Sequence, residues 1–455
     1  MIFRIYPVKD TSITNYKRNN VPQTSSNSGL SEILQLFKIA GVSGSLTSSA
    51  TGSFSRILLK FDVSELRSLL TASLIPLSDV SYKLILKDAQ HNDTLPSSYD
   101  IEIFKLARDW DEGKGHDIDS FSDKGFANWD KAKSNQFWTS PGGDTTGSHV
   151  VYHFDSGFEN VDADISDFVD DWVVNDNQNN GVLLKVSSSL ESDYEDYFVK
   201  KFHSKHTFFK DLRPYVEARW DDSTKDDRSN FYFDYTGSLL LYNIIDGQFS
   251  NVVGASTGSD ALDIRITDLS GTILSTSASY SGKVGIYSAS FAIPFASYSG
   301  SEFYDIWSIN SKTLMTGSFT PVRQLSSQVV NQSKYVVSMP SLKNEYNLDE
   351  LTRFRTFIRR RSYNPAVVSS SSINVQSIIV PKAYYRIDND RTKEQVVGFG
   401  TGSLEWTRMS YDSTGNFFDF YINSLSSGNV YRIIYLFNVD GQRQIIDNNF
   451  KFRVV

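Results

Sequence analysis

Residues 55–66, Ser-Arg-Ile-Leu-Leu-Lys-Phe-Asp-Val-Ser-Glu-Leu, constrain the fold more than any other stretch. Ile57, Leu58, Leu59 and Phe61 form a short run that is apolar on both faces and ends in a polar turn. A run of that kind reads as a core strand of a sandwich, because a helix needs more length and leaves one side polar. Strand patterns recur downstream. Val80, Tyr82, Leu84 and Leu86 alternate with Ser81, Lys83, Ile85 and Lys87, and residues 101–106 repeat the pattern. The 31 Phe and 24 Tyr reinforce this reading, since flat side chains pack well on pleated surfaces. One helix interrupts the series: Ile165, Phe168, Val169 and Trp172 line one face, carboxylates line the other, and Asp164 is the expected N-cap. The expected fold class is all-β.

A chain of 455 residues exceeds what one hydrophobic core usually supports, so several domains are expected. The net charge of -8 argues against nucleic acid as a partner, because binding it needs a basic footprint that releases counterions from phosphates. The absence of cysteine excludes disulfide staples, thiol nucleophiles and cysteine-held metals. Nowhere do 18 apolar residues run together, so no transmembrane helix is expected. The opening Met-Ile-Phe-Arg-Ile-Tyr-Pro alternates like a strand and lacks the parts of a signal peptide. The expected setting is therefore assembly in a cytoplasm, with release by lysis or a dedicated machine.

Candidate chemistry is sparse. Gly254-Ala-Ser-Thr-Gly258 matches the nucleophile-elbow string, but a strand pattern follows it and no His lies beyond His206 to take the Ser256 proton. His203 and His206 would point to opposite faces of one strand, and His149 and His153 also sit in strand-like surroundings. Asp109, Asp111 and Glu112 flank Trp110, yet a glycosidase needs its two acids roughly 5 to 10 Å apart across a bond, which neighbours in one turn rarely achieve. The acidic run Asp155, Glu159, Asp162, Asp164, Asp167, Asp170 and Asp171 lacks a calcium-loop pattern and reads as a solvated face. Trp129, Trp138, Tyr194 and Tyr197 are the candidate sugar-stacking rings, with core packing as the competing role. Arg353, Arg355, Arg359, Arg360 and Arg361 form the basic cluster. It is expected to face carboxylates of this chain or of another subunit.

An ordered series of motifs carries a resemblance. It runs from the Ile57–Phe61 strand through Trp110-Asp-Glu-Gly, Trp129, Trp138 with Pro-Gly-Gly, Asp-Asp-Trp172, Asn-Asn-Gly181-Val-Leu-Leu and Phe202-His-Ser-Lys to Arg213-Pro-Tyr-Val-Glu. About the first 222 residues resemble the DNRLRE family of jelly-roll sandwiches, which is similar to carbohydrate-binding modules. The departures are the long segment before Ser55 and Phe-His-Ser-Lys, where the family more often shows aromatic-Ser-Ser-Glu. The resemblance implies a jelly roll over residues 1–222, a glycan as one class of partner and a structural calcium ion as the one metal to look for; no other cofactor is expected. Beyond Arg228 short strands are broken by Ser, Gly, Thr and Asn, and two immunoglobulin-like sandwiches are expected over 229–328 and 331–455. The whole reads as a non-enzymatic bacteriophage virion protein of the neck, tail or fibre-attachment region. Its expected partners are other virion subunits, in a homo-oligomer or a larger assembly. A bacterial surface adhesin is the alternative.

Overall fold

The computed structural model describes all residues except 20, 40–51, 73, 77–78, 93–94, 119–121, 123, 176, 193–196, 299, 324–334, 362–376 and 440. The fold is all-β: an N-terminal jelly-roll sandwich is followed by two immunoglobulin-like sandwiches. The chain divides into two compact units. One comprises Phe3–Leu70 and Val80–Arg219, the other Met1–Ile2, Thr71–Asp79 and Trp220–Val455.

In the first unit the central strand is Ser53–Phe61. It pairs antiparallel with Pro7–Thr14, placing Asp10 opposite Leu59, and with Val182–Val186, placing Val182 opposite the same Leu59. At its start it also meets Ile33–Ile39. Ile57, Leu58, Leu59 and Phe61 are all buried, as an interior strand requires. The seven-stranded sheet runs Thr145–Phe154, Tyr99–Leu106, Val182–Val186, Ser53–Phe61, Ile33–Ile39 and Tyr197–His203, with Pro7–Thr14 added on Ser53–Phe61. The four-stranded sheet runs Ile2–Ile5, Tyr215–Trp220, Val80–Leu86 and Val161–Asp164. Ile33–Ile39 is a strand that buries Leu34, Leu36 and Phe37.

Two local details differ from expectation. The polar turn after Phe61 leads into a short helix, Ser64–Thr71, which buries Leu66 and Leu70. Asp62 Oδ1 starts it by accepting the Ser64 N–H at 2.9 Å. The expected helix lies at Ser166–Val173, and Asp164 instead ends the strand Val161–Asp164. Its carboxylate still receives the Ser166 N–H at 3.0 Å, so the acid does a cap's work from one residue further out. Phe168, Val169 and Trp172 are buried, which confirms the apolar face.

The second unit has two cores. In the middle sandwich six strands follow the order Gly237–Tyr242, Ile286–Phe291, Gly271–Tyr280, Leu262–Asp268, Phe303–Ile309 and Lys312–Phe319. They enclose Phe231, Leu241, Ile264, Tyr287, Phe303, Trp307 and Phe319. The C-terminal sandwich stacks a four-stranded sheet (Tyr335–Ser338, Leu351–Arg360, Gly415–Tyr421, Ser410–Asp412) on a five-stranded one (Glu345–Tyr346, Gln442–Val454, Val430–Val439, Ala383–Asn389, Gln395–Val397). Phe354, Tyr385, Phe418 and Phe452 lie at its centre, with Tyr385 and Phe418 stacked at 3.9 Å between centroids.

Candidate functional site

Three segments of the first unit deliver one acid or base each to a common spot. Asp10 lies in the middle of Pro7–Thr14, Glu112 follows the strand Tyr99–Leu106, and His206 sits in the turn after Tyr197–His203. One ligating atom from each lies within 4.8 Å of the other two, the one such trio among the described residues.

Asp10 is fully buried while Glu112 and His206 are partly exposed. The Asp10 N–H donates to Glu112 Oε1 (2.7 Å), and Asp10 Oδ2 accepts the Lys205 backbone N–H (2.5 Å). The Lys205 ammonium donates to Glu112 Oε2 (2.8 Å) and to the Val8 carbonyl (2.6 Å). Asp10 Oδ1 and His206 Nε2 are buried atoms with no hydrogen-bond partner among the described residues. Burial pushes the Asp10 carboxyl up to about 7, the neighbouring Glu112 adds to the rise, and the Lys205 N–H opposes it. Burial lowers His206 below the usual imidazole value, aided by Lys205 and opposed by Glu112 and by the Gly29 backbone. Burial thus favours the uncharged form of both groups.

Backbone packing brings these groups together. Residues 110–115, Trp-Asp-Glu-Gly-Lys-Gly, lie against Asn27 and Gly29, with the Asn27 side chain between the two segments. Asn27 Oδ1 accepts the Gly115 N–H (3.0 Å), and Asn27 Nδ2 donates to the Ala127 carbonyl (3.1 Å). A Cβ on Gly113 would sit 1.8 Å from Asn27 Nδ2, one on Gly115 2.0 Å from the Asn27 carbonyl oxygen, and one on Gly29 2.2 Å from the Gly113 carbonyl oxygen. Only glycine permits that approach, and it is what carries Glu112 to Asp10. The buried Trp110 pins the start of the segment by donating its indole N–H to the Asn180 carbonyl (3.1 Å).

The expected sugar-stacking rings are placed otherwise. Trp129 and Trp138 are 8% and 4% exposed and belong to a core cluster with Leu58, Leu106, Trp110 and Leu183. Trp138 donates its indole N–H to the Asn128 carbonyl, and Arg56 lies over the Trp129 ring at 5.0 Å. Both rings are spent on packing, which corrects the expectation that they meet a sugar face. Tyr194 lies outside the described residues, and so does the side chain of Tyr197, whose backbone begins the strand Tyr197–His203. Among the described residues the most exposed aromatic rings of this unit are Phe137, Phe158, Phe208 and Phe209.

Two of the five cluster arginines meet carboxylates of the same chain. Arg353 makes a two-pronged pair with Asp419 (2.7 and 2.8 Å), Arg355 does the same with Asp412 (2.8 and 2.7 Å), and both lie over Phe417. Arg359, Arg360 and Arg361 make no ion pair among the described residues. His149 and His153 both lie on the strand Thr145–Phe154, and His153 Nδ1 meets Asp100 Oδ1 at 2.7 Å. Asp109 is held between Lys60 and Lys133 at 2.7 Å each; burial alone would raise its carboxyl, and these two hydrogen bonds keep it well below the usual range. Ser256 lies in an exposed turn and donates to the Asp260 carbonyl.

Sequence reasoning singled out Glu112 and His206 but set both aside, and it passed over Asp10. A usable signal was present: an acid followed by Thr11, Ser12, Ile13 and Thr14 in one strand, which must find a partner once buried.

No protein-family model and no curated protein matches the chain. Among solved structures it is similar to the fibronectin(III)-like modules of Clostridium thermocellum CbhA, at 10% identity over 52% of this chain and 92% of that one, TM-score 0.15. A chimeric titin tandem matches at 9% identity over 52% and 95%, TM-score 0.16. Salmonella alpha-2-macroglobulin matches at 8% identity over 100% of this chain and 28% of its own, TM-score 0.16. Likenesses this low carry no argument.

Proposed function

We propose that this chain is a non-enzymatic structural protein of a bacteriophage virion, placed in the neck, tail or fibre-attachment region, where its sandwiches dock to other subunits and its jelly roll serves assembly or surface recognition. The observation that carries this reading is the state of the sheet edges. The seven-stranded sheet ends in Thr145–Phe154, ten residues long and mostly exposed, with Val151 54% exposed. The middle sandwich ends in Lys312–Phe319, eight residues and also mostly exposed. Long open edges offer rows of unpaired backbone groups to another chain, and monomeric proteins usually blunt them. The C-terminal sandwich ends its sheets in strands of two to four residues, and the shortest of them, Glu345–Tyr346, meets Gln442–Val454 only at Arg453 and Val454. Thr145–Phe154 and Lys312–Phe319 are therefore edges on which another subunit can build.

Ser256 has no histidine beside it in sequence or beyond, and the paired arginines serve the sandwich that carries them. Quantitative mass spectrometry of purified particles tests the proposal. A fixed copy number per particle is the expected result, and absence from particles overturns it.

A further inference from the structure

We propose that Asp10, Glu112 and His206 form a binding site for one divalent transition-metal ion, zinc being the representative, that ties three segments of the jelly roll together. Their ligating atoms come from three separate chain segments and converge within 4.8 Å. Asp10 Oδ1 and His206 Nε2 are buried and have no hydrogen-bond partner among the described residues, so two members of the cluster each carry a buried lone-pair atom left unsatisfied there. A buried carboxylate oxygen and an imidazole nitrogen left this way are costly unless a proton or a cation lies between them. The imidazole decides the class of ion: calcium and magnesium take oxygen ligands, whereas one nitrogen with two carboxylates suits zinc and its first-row neighbours. The site thus differs from the calcium ion that the jelly-roll resemblance implied.

Lys205 regulates the site. Its ammonium sits on Glu112 Oε2 and supplies the positive charge while the metal is absent. The same ammonium also reaches the Val8 carbonyl, and its stem is partly exposed, so it has an alternative place to go when a cation arrives. Its backbone N–H on Asp10 Oδ2 stays in either case and leaves Oδ1 free for the ion. The partial exposure of Glu112 and His206 gives the ion a route in.

Isothermal titration of the full-length, chelator-treated chain with zinc chloride tests this, with thermal unfolding followed in parallel. The expected result is saturable binding of one zinc per chain with a rise in Tm. His206→Gln is expected to weaken binding by well over ~10-fold, since even outer-shell changes cost that much. Lys205→Met, which removes the competing ammonium and keeps the backbone N–H, is expected to tighten it. His206 is partly exposed, so its variant is expected to fold, and circular dichroism checks that it does. Absence of one-equivalent binding by the wild-type chain overturns the proposal. So does binding that His206→Gln leaves unchanged, or that Lys205→Met weakens.

Discussion

Individual side chains show how burial and close approach act in opposite senses. Gly113 has no room for a methyl group beside Asn27, and the displaced atoms belong to a side chain locked by two hydrogen bonds. Gly113→Ala is therefore expected to destabilise the first unit by about 3 kcal/mol, read as a fall in the urea midpoint without a change of slope. Asp226 shows the cost of burying a charge. It pairs with Arg228 at 2.9 Å, and Arg228 also reaches Asp305 at 2.6 Å. Burial nevertheless outweighs the Arg228 attraction and raises the Asp226 carboxyl to about 6, with Asp305 adding to the rise. The native state then binds more protons than the unfolded chain between those two values. This group's stabilising contribution is complete below the unfolded carboxylate value and is lost as pH rises through about 6. The stability of wild type relative to Asp226→Asn is expected to fall by ~2 kcal/mol from pH 4.5 to 7, measured by urea unfolding at each pH.

Strands and helices divide into those whose pattern announces them and those whose surroundings decide them. Ser53–Phe61 announced itself because an interior strand is apolar on both faces, and its Leu58 lies in the core beside Trp110 and Leu183. Leu58→Ala is expected to cost ~2–5 kcal/mol, measured by chemical denaturation. The helix Ser166–Val173 was legible from its apolar face, and only its cap moved, because Asp164 was already committed to a strand ladder opposite Lys83. Ser64–Thr71 was missed since eight residues with two buried leucines give too short a period to distinguish from a turn. Thr145–Phe154 is the element on which the assembly proposal depends. Val151→Lys is expected to leave the Tm within about 2 °C, because the side chain is exposed, and to reduce incorporation into particles. Normal incorporation of the folded variant would count against docking through this edge.

At the scale of the molecule, charge sets one further expectation. With a net charge of -8 and its two-pronged arginine pairs already neutralised by Asp412 and Asp419, the chain is expected to cause no shift of duplex DNA at ~0.15 M salt, and a retarded band would contradict it. What the sequence by itself determined was local: where strands run, which faces are apolar, where the texture changes near Arg228, and which chemistries a cysteine-free acidic chain cannot perform. These are properties of spacing and composition, and they hold before any segment finds its partner. Only the tertiary structure decided which aromatic rings are consumed by the core, as Trp129 and Trp138 are, and which arginines are paired. It alone assembled Asp10, Glu112 and His206, whose positions are separated by about a hundred residues at each step. The physical reason is that burial and convergence are properties of packing. Strand registers fix which distant residues meet, and here three glycines and one asparagine close the last gap between them.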